Sequence, residues 1–219
     1  MRFAAAEAGH AVRRRIMDSD TRDPPPYKAC AMKPRKAPAP LHTIRSLVLV
    51  DESNVVSSAW ASKRSLDWIR LRDFLCDATL GRTLIEMVVY VGLPPVMAVW
   101  QNEREKKNKF IHWLRSNGFL VVTKDGSPAE EGHYKSNVDV MMAIDAVELS
   151  VAMQPDVVTL VTGDADFAYL ALQLRRRGIR VEVASVSGNL GSGLKSSANA
   201  VIDLAPLLAT FEPLKASDR

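Results

Sequence analysis

Leu47-Val48-Leu49-Val50-Asp51-Glu52-Ser53-Asn54 is the stretch on which the fold turns. Four aliphatic residues in a row, with no polar alternation, mark a strand buried on both faces, as happens in parallel sheets covered by helices on each side. The run stops at a carboxylate. In open parallel sheets ligands bind just beyond the carboxyl ends of the strands, so Asp51 stands where such a sheet places its chemistry.

Working outward, runs of the same type recur at 87–91, 120–122, 157–161 and 181–183, and between them lie helical patterns at about 65–80, 103–117, 137–153 and 166–177. The helix ends carry their own signals. Asn117-Gly118 is a C-terminal cap pair, and Arg175-Arg176-Arg177-Gly178 puts cations at the negative end of a helix dipole before a capping glycine. That placement accounts for the three arginines better than nucleic-acid contact does. Strand and helix alternate throughout, which predicts an α/β fold: a three-layer α/β/α sandwich around a central, mainly parallel sheet. The stretch at 185–193, rich in Ser and Gly, reads as a flexible loop.

The 219 residues are 47% hydrophobic and 25% charged, an ordinary globular balance and enough chain for one core with an appendage. The net charge of +4 is uneven: the first 45 residues carry +6 and the remainder −2. Residues 1–43 add Pro24-Pro25-Pro26, Pro34, Pro38 and Pro40, and are expected to form a disordered basic arm. Met17 and Met32 are in-frame candidates for a later start within it. The domain is expected at 44–210 and a short tail at 211–219. Two cysteines, Cys30 and Cys76, allow neither a disulfide framework nor a cysteine-based zinc site. No run approaches the roughly 18 apolar residues of a membrane span. Arg13-Arg14-Arg15 is not followed by the apolar core of a secretory leader. A cytoplasmic protein with no membrane partner is expected.

Three more acids share the position of Asp51. Asp164 and Asp166 follow the 157–161 strand in Val161-Thr162-Gly163-Asp164-Ala165-Asp166-Phe167, and Asp139 opens a helix after Lys135-Ser136-Asn137-Val138. Each alone is explained equally well as a helix cap or a first-turn acid. Jointly they imply one rim, because strands one and four adjoin in the common orders of such sheets. Two unit charges about 4 Å apart repel by roughly 1 kcal/mol in water and about 4 kcal/mol at the dielectric of a protein surface, so a cation must sit between them. Oxygen donors without Cys or His select Mg²⁺ or Mn²⁺. Asp145, six residues past Asp139, is turned about 120° around the helix and ranks below the other four.

Three segments, in order, carry a resemblance. Val48-Leu49-Val50-Asp51-Glu52-Ser53-Asn54, Ser136-Asn137-Val138-Asp139-Val140-Met141-Met142-Ala143-Ile144-Asp145 and Leu160-Val161-Thr162-Gly163-Asp164-Ala165-Asp166-Phe167 resemble the NYN domain, and more narrowly its LabA-like branch within the PIN-like nuclease superfamily. The resemblance runs from about 46 to 205. It implies a metal-dependent endoribonuclease in which Asp51, Asp139, Asp164 and Asp166 form the catalytic and metal-binding set. Asp51 and Asp164 are expected as direct ligands, and Asp139 and Asp166 as ligands directly or through water. Asn54 is expected to orient a ligand or contact a phosphate, and Thr162, standing where Ser is usual, to donate a hydrogen bond. Asn199 stands where the family often has Asp, which removes one late acid. RNA, most readily single-stranded, is the implied partner, and related domains often pair as homodimers.

Lys135 is the favoured phosphate contact. Arg104, Lys106, Lys107 and Lys109 form a second basic cluster, which a solvated helix face balanced by Glu103 and Glu105 explains at least as well. Trp60 and Trp100 are candidates to stack bases, whereas Trp68 is expected in the core. Two other functions compete: a catalytically weak RNA-binding or regulatory module on the same fold, and an aspartyl phosphatase. The phosphatase would need a second Asp two residues beyond Asp51, where Ser53 stands.

Overall fold

The run at 47–50 lies at the centre of a six-stranded sheet in a computed structural model that describes residues 43–129 and 133–214. In chain order the elements are β1 (Ile44–Asp51), α1 (Glu52–Ala61), α2 (Trp68–Leu75), β2 (Arg82–Leu93), α3 (Gln101–Ser116), β3 (Leu120–Asp125), the short strands β4 (Ser127–Pro128) and β5 (Tyr134–Lys135), α4 (Asp139–Met153), β6 (Val157–Val161), α5 (Ala168–Arg176), β7 (Arg180–Ser185), α6 (Ser192–Ser197), β8 (Ala200–Asp203) and α7 (Ala205–Ala209). The expected arm, but for Thr43, and residues 215–219 of the expected tail lie outside the described residues.

The sheet order is β3-β2-β1-β6-β7-β8, and every neighbouring pair is parallel. The continuous hydrophobic runs are explained by burial on both sides. Val48 and Val50 point into one core with Val55, Leu71, Leu114 and Leu208, while Leu47 and Leu49 point into the other with Met142, Ala146, Leu170 and Leu194. Helices α1, α2, α3 and α7 cover the first face, and α4, α5 and α6 the second. The chain winds outward from β1 through β2 to β3, then returns to place β6 on the other side of β1. The reversal opens a crevice between the carboxyl ends of β1 and β6, the location where such sheets bind ligands.

Several local features differ from the sequence reading. The helix expected at 65–80 is shorter, because Asp67 caps α2 by accepting the Arg70 amide at 3.0 Å and a second carboxylate, Asp77, caps a separate turn by accepting from the Thr79 amide at 2.8 Å. Helix α1 was not foreseen. The Ser/Gly stretch is ordered rather than loose: α6 begins within it, and the Gly191 amide donates to the Gly163 carbonyl at 2.8 Å. At the opposite end of the sheet the buried Glu182 is held by Arg82 at 2.8 and 3.0 Å and by Arg180 at 2.9 Å.

Candidate functional site

Asp51 closes β1 and caps α1 in one step. Its backbone is extended, the residue is 4% exposed, and one carboxylate oxygen accepts from the Ser53 hydroxyl at 2.8 Å and from the Asn54 amide at 3.2 Å. The Asn54 amide is one of the orphan backbone donors of a helix start. The next strand over repeats the arrangement. Asp164 is extended and accepts from the Asp166 amide at 2.9 Å, so it caps the 3-10 turn Ala165–Phe167 that leads into α5.

Asn54, expected to orient a ligand or contact a phosphate, and Thr162, expected to donate a hydrogen bond, both bond to backbone at the rim. The Asn54 side-chain oxygen accepts the Gly163 amide at 2.9 Å, tying the end of β1 to the end of β6. The Thr162 hydroxyl accepts the Asp164 amide at 3.2 Å, so here it receives a hydrogen bond and fixes the turn from below. Gly163 is required by close approach: a Cβ there would collide with the Asn189 carbonyl and lie 2.9 Å from the Ser185 hydroxyl.

Electrostatics show that the four acids share one field. Burial raises the Asp51 carboxyl above the usual carboxylate range, the Ser53 and Asn54 hydrogen bonds oppose the rise, and the Asp164 charge adds to it. Asp139, half-buried at the start of α4, is raised first by burial and then by the charges of Asp51, Asp164 and Asp166, with Lys135 opposing. Among the described residues no three acidic, imidazole or thiol groups already stand close enough together to cage an ion. The donor set, oxygen only and mutually repelling, nonetheless has the chemistry of a hard divalent cation site.

The rim opens on two clefts that share Lys135. The larger, about 670 Å³, is lined by Lys135, Asp139, Asp164 and Asp166 with Val140 and Tyr169 as its apolar wall. The smaller, about 350 Å³, lies on the Ser53 side under Trp60, Tyr134 and Lys107. Lys135 is exposed and makes no ion pair among the described residues.

Of the second basic cluster, Lys107 donates to both carboxylate oxygens of the buried Glu52 at 2.8 Å, and Arg104 pairs with Asp125 at 2.7 Å. Those two cations are already paired, whereas Lys106 and Lys109 are exposed. Asp145 accepts from the Tyr90 hydroxyl at 3.0 Å and anchors α4. Asn199 pairs with both backbone groups of Val181 at 2.8 Å, at the far end of the sheet. A carboxylate there would not reach the rim. Trp68 is buried against Phe110 and Phe119, as expected.

Sequence reasoning missed Asn189, whose side-chain amide donates to Ser58 at 2.8 Å while Ser58 donates to the Asn54 carbonyl at 2.9 Å. It also missed the Glu52 to Lys107 pair. No spacing rule connects such distant residues, although a second acid directly after Asp51 was a signal that one of the two needed an internal partner.

The doubly wound parallel sheet, with Asp51 and Asp164 at the carboxyl ends of its adjacent strands β1 and β6, defines an α/β protein with its candidate site at the switch point. The family profile described as NYN domain matches residues 45–206, and the chain belongs to that family, which lies within the PIN-like nuclease superfamily. NYN domains bind RNA, and PIN-like nucleases generally depend on divalent metal ions. No curated protein matches the chain. Among solved structures, a protein of unknown function from Vibrio parahaemolyticus is similar at 26% identity and a TM-score of 0.59, over 76% of this chain and 96% of the other. A nicotinamidase from Staphylococcus aureus is similar at 12% identity and a TM-score of 0.32, over 71% of this chain and 87% of its own, a likeness too remote to bear on function. No helix among the described residues is long and apolar enough to cross a membrane.

Proposed function

We propose that this protein is a metal-dependent endoribonuclease of the LabA-like branch, acting on single-stranded RNA at the rim between β1 and β6. The observation that carries the reading is the geometry of the strand ends: Asp51 and Asp164 close adjacent strands tied together by the Asn54 to Gly163 bond, with Asp139 and Asp166 near enough for the charges to act on one another. Four carboxylates within one field, two of them pushed toward protonation, are what a site looks like when its counter-charge is a separate ion. Mg²⁺ or Mn²⁺, when bound, supplies Lewis-acid polarisation of the scissile phosphate and a water nucleophile at neutral pH.

The chain's own residues do the rest. Asp51 and Asp164 provide the inner oxygens, each already oriented by its role as a helix cap, and Asp139 and Asp166 complete the set directly or through water. Lys135 binds the RNA backbone beside them. Asn54 ties the end of β1 to that of β6, and Thr162 fixes the turn that carries Asp164, which keeps the carboxylates oriented. Pairing of two copies belongs to the same reading, and sedimentation of the purified protein checks it.

The test is cleavage of a labelled single-stranded RNA panel in Mg²⁺, Mn²⁺ and EDTA by the wild type, Asp51→Asn and Asp164→Asn. Cleavage in either metal, lost in EDTA and in both variants, is expected. Turnover that persists in EDTA or in the variants removes the proposal. A second reading draws on the absence of a ready-made cage among the described residues: a catalytically weak RNA-binding module. It predicts RNA affinity that survives Asp51→Asn, with no turnover in Mn²⁺.

A further inference from the structure

Ser53, Val56, Ser57 and Trp60 recur at three- and four-residue spacing and so form one face of α1, which walls the smaller cleft. The face starts at the acidic rim, because the Ser53 hydroxyl donates to Asp51 at 2.8 Å. At a rise of 1.5 Å per residue Trp60 lies roughly 10 Å farther along the helix, the distance of a neighbouring group and not of the reacting one.

Trp60 is 49% exposed, comparable to Trp113 at 42%, but of the two only Trp60 lines the cleft beside the acidic rim. It stacks on no other ring and meets no cation among the described residues, whereas Trp68 and Trp100 both have aromatic partners. The opposite wall is fixed. Tyr134 packs edge-on against Trp100 with ring centres 5.4 Å apart, and Gly92 lets the Tyr134–Lys135 strand run close, since a Cβ there would stand 2.8 Å from Ser136.

Charge narrows the ligand. Both oxygens of Glu52 are neutralised by Lys107 at the floor of the cleft, leaving Lys135 at the mouth as its unbalanced cation. A flat exposed ring, a neutral floor and one cation toward the acidic rim suit an aromatic base joined to a phosphate.

We propose that this cleft is a nucleobase subsite, in which Trp60 stacks the base of a nucleotide flanking the scissile one while Lys135 holds the phosphate between them. The proposal rests on the RNA reading of the site. Stacking reads no base edge, so the subsite tolerates any base, and it requires a single strand because paired bases keep their faces covered.

The experiment measures binding of short labelled oligouridylate, oligoadenylate and a matched RNA duplex to the full chain in EDTA, for the wild type, Trp60→Ala, Trp60→Phe and Trp113→Phe. Trp113 is an exposed tryptophan outside both clefts. Trp60→Ala is expected to weaken both single strands roughly tenfold, the scale of one lost base-aromatic stack. It should leave the duplex unchanged, and Trp60→Phe should retain most of the affinity. Quenching of tryptophan emission on binding should vanish in Trp60→Phe and persist in Trp113→Phe, a readout that holds even if the alanine variant folds poorly. Unchanged single-strand binding by Trp60→Ala, equal losses on single strand and duplex, or undiminished quenching in Trp60→Phe overturns the subsite. If Trp60→Ala binds normally while cleavage still needs Asp51, the subsite alone falls. If both Asp variants cleave like the wild type while Trp60→Ala loses its tenfold, the nuclease reading alone falls.

Discussion

Thr159 carries a hydroxyl at zero exposure in the middle of β6, and that oxygen has no hydrogen-bond partner. A buried, unpaired polar atom costs about 1–3 kcal/mol, and valine fills nearly the same volume without it. Thr159→Val is expected to raise stability by about 1 kcal/mol, read as a higher denaturant midpoint with an unchanged slope. Glu182 is the opposite case, a buried charge with its partners in place. Burial works to raise its carboxyl, but the hydrogen bonds and charges of Arg82 and Arg180 outweigh that and hold it below the ordinary Glu range. The unfolded chain therefore takes up this proton at a higher pH than the folded one. The resulting stability is present above the ordinary Glu value and is lost as pH falls through the lower folded value. Glu182→Gln is expected to lower stability by about 1–3 kcal/mol near neutrality and to flatten the acid limb of a stability-against-pH curve. At this scale the four acids were legible in the sequence because carboxylates beside apolar runs stand out. The backbone bond of Asn54 was not, because it depends on where a distant amide, that of Gly163, arrives in the fold.

Among the elements, strands were the easiest to read. A run buried on both faces, such as 47–50 or 157–161, cannot be mistaken for a half-solvated one. Helix α1 escaped because its inward face mixes Val55 and Ala59 with Ser58, a polar residue buried at 3% exposure by its bond to the Asn54 carbonyl. The loop before α6 escaped for a related reason. Its Ser and Gly content usually means freedom, yet here the glycines permit contact: a Cβ on Gly191 would stand 2.8 Å from that of Ala165, and Gly163 faces the Asn189 carbonyl. Gly163→Ala must push that loop away. A loss of about 1–3 kcal/mol is expected from the overlap, measured by thermal melting. RNA cleavage should fall with it, because Asp164 moves with the turn.

For the molecule as a whole, charge divides unevenly between two regions of sequence. The first 45 residues carry +6 and the rest −2, so the folded region has little general attraction for a polyanion of its own. Removing residues 1–42 is expected to weaken RNA binding and to make it less salt-dependent, since fewer counterions are displaced. The cleavage positions should stay the same. Titration at several salt concentrations checks this, and an unchanged slope would count against a role for the basic segment.

Helix α4 is held from its middle, where Asp145 meets Tyr90, and has no side-chain cap at the end that bears Asp139. Its opening amides thus have no side-chain acceptor, and they exchange with solvent hydrogen unless something anchors that end. What anchors it is packing: Val138 and Met142, at 5% and 0% exposure, bury the first turn of α4 in the core, so Asp139 keeps its place by apolar contact where Asp51 and Asp164 keep theirs by capping bonds.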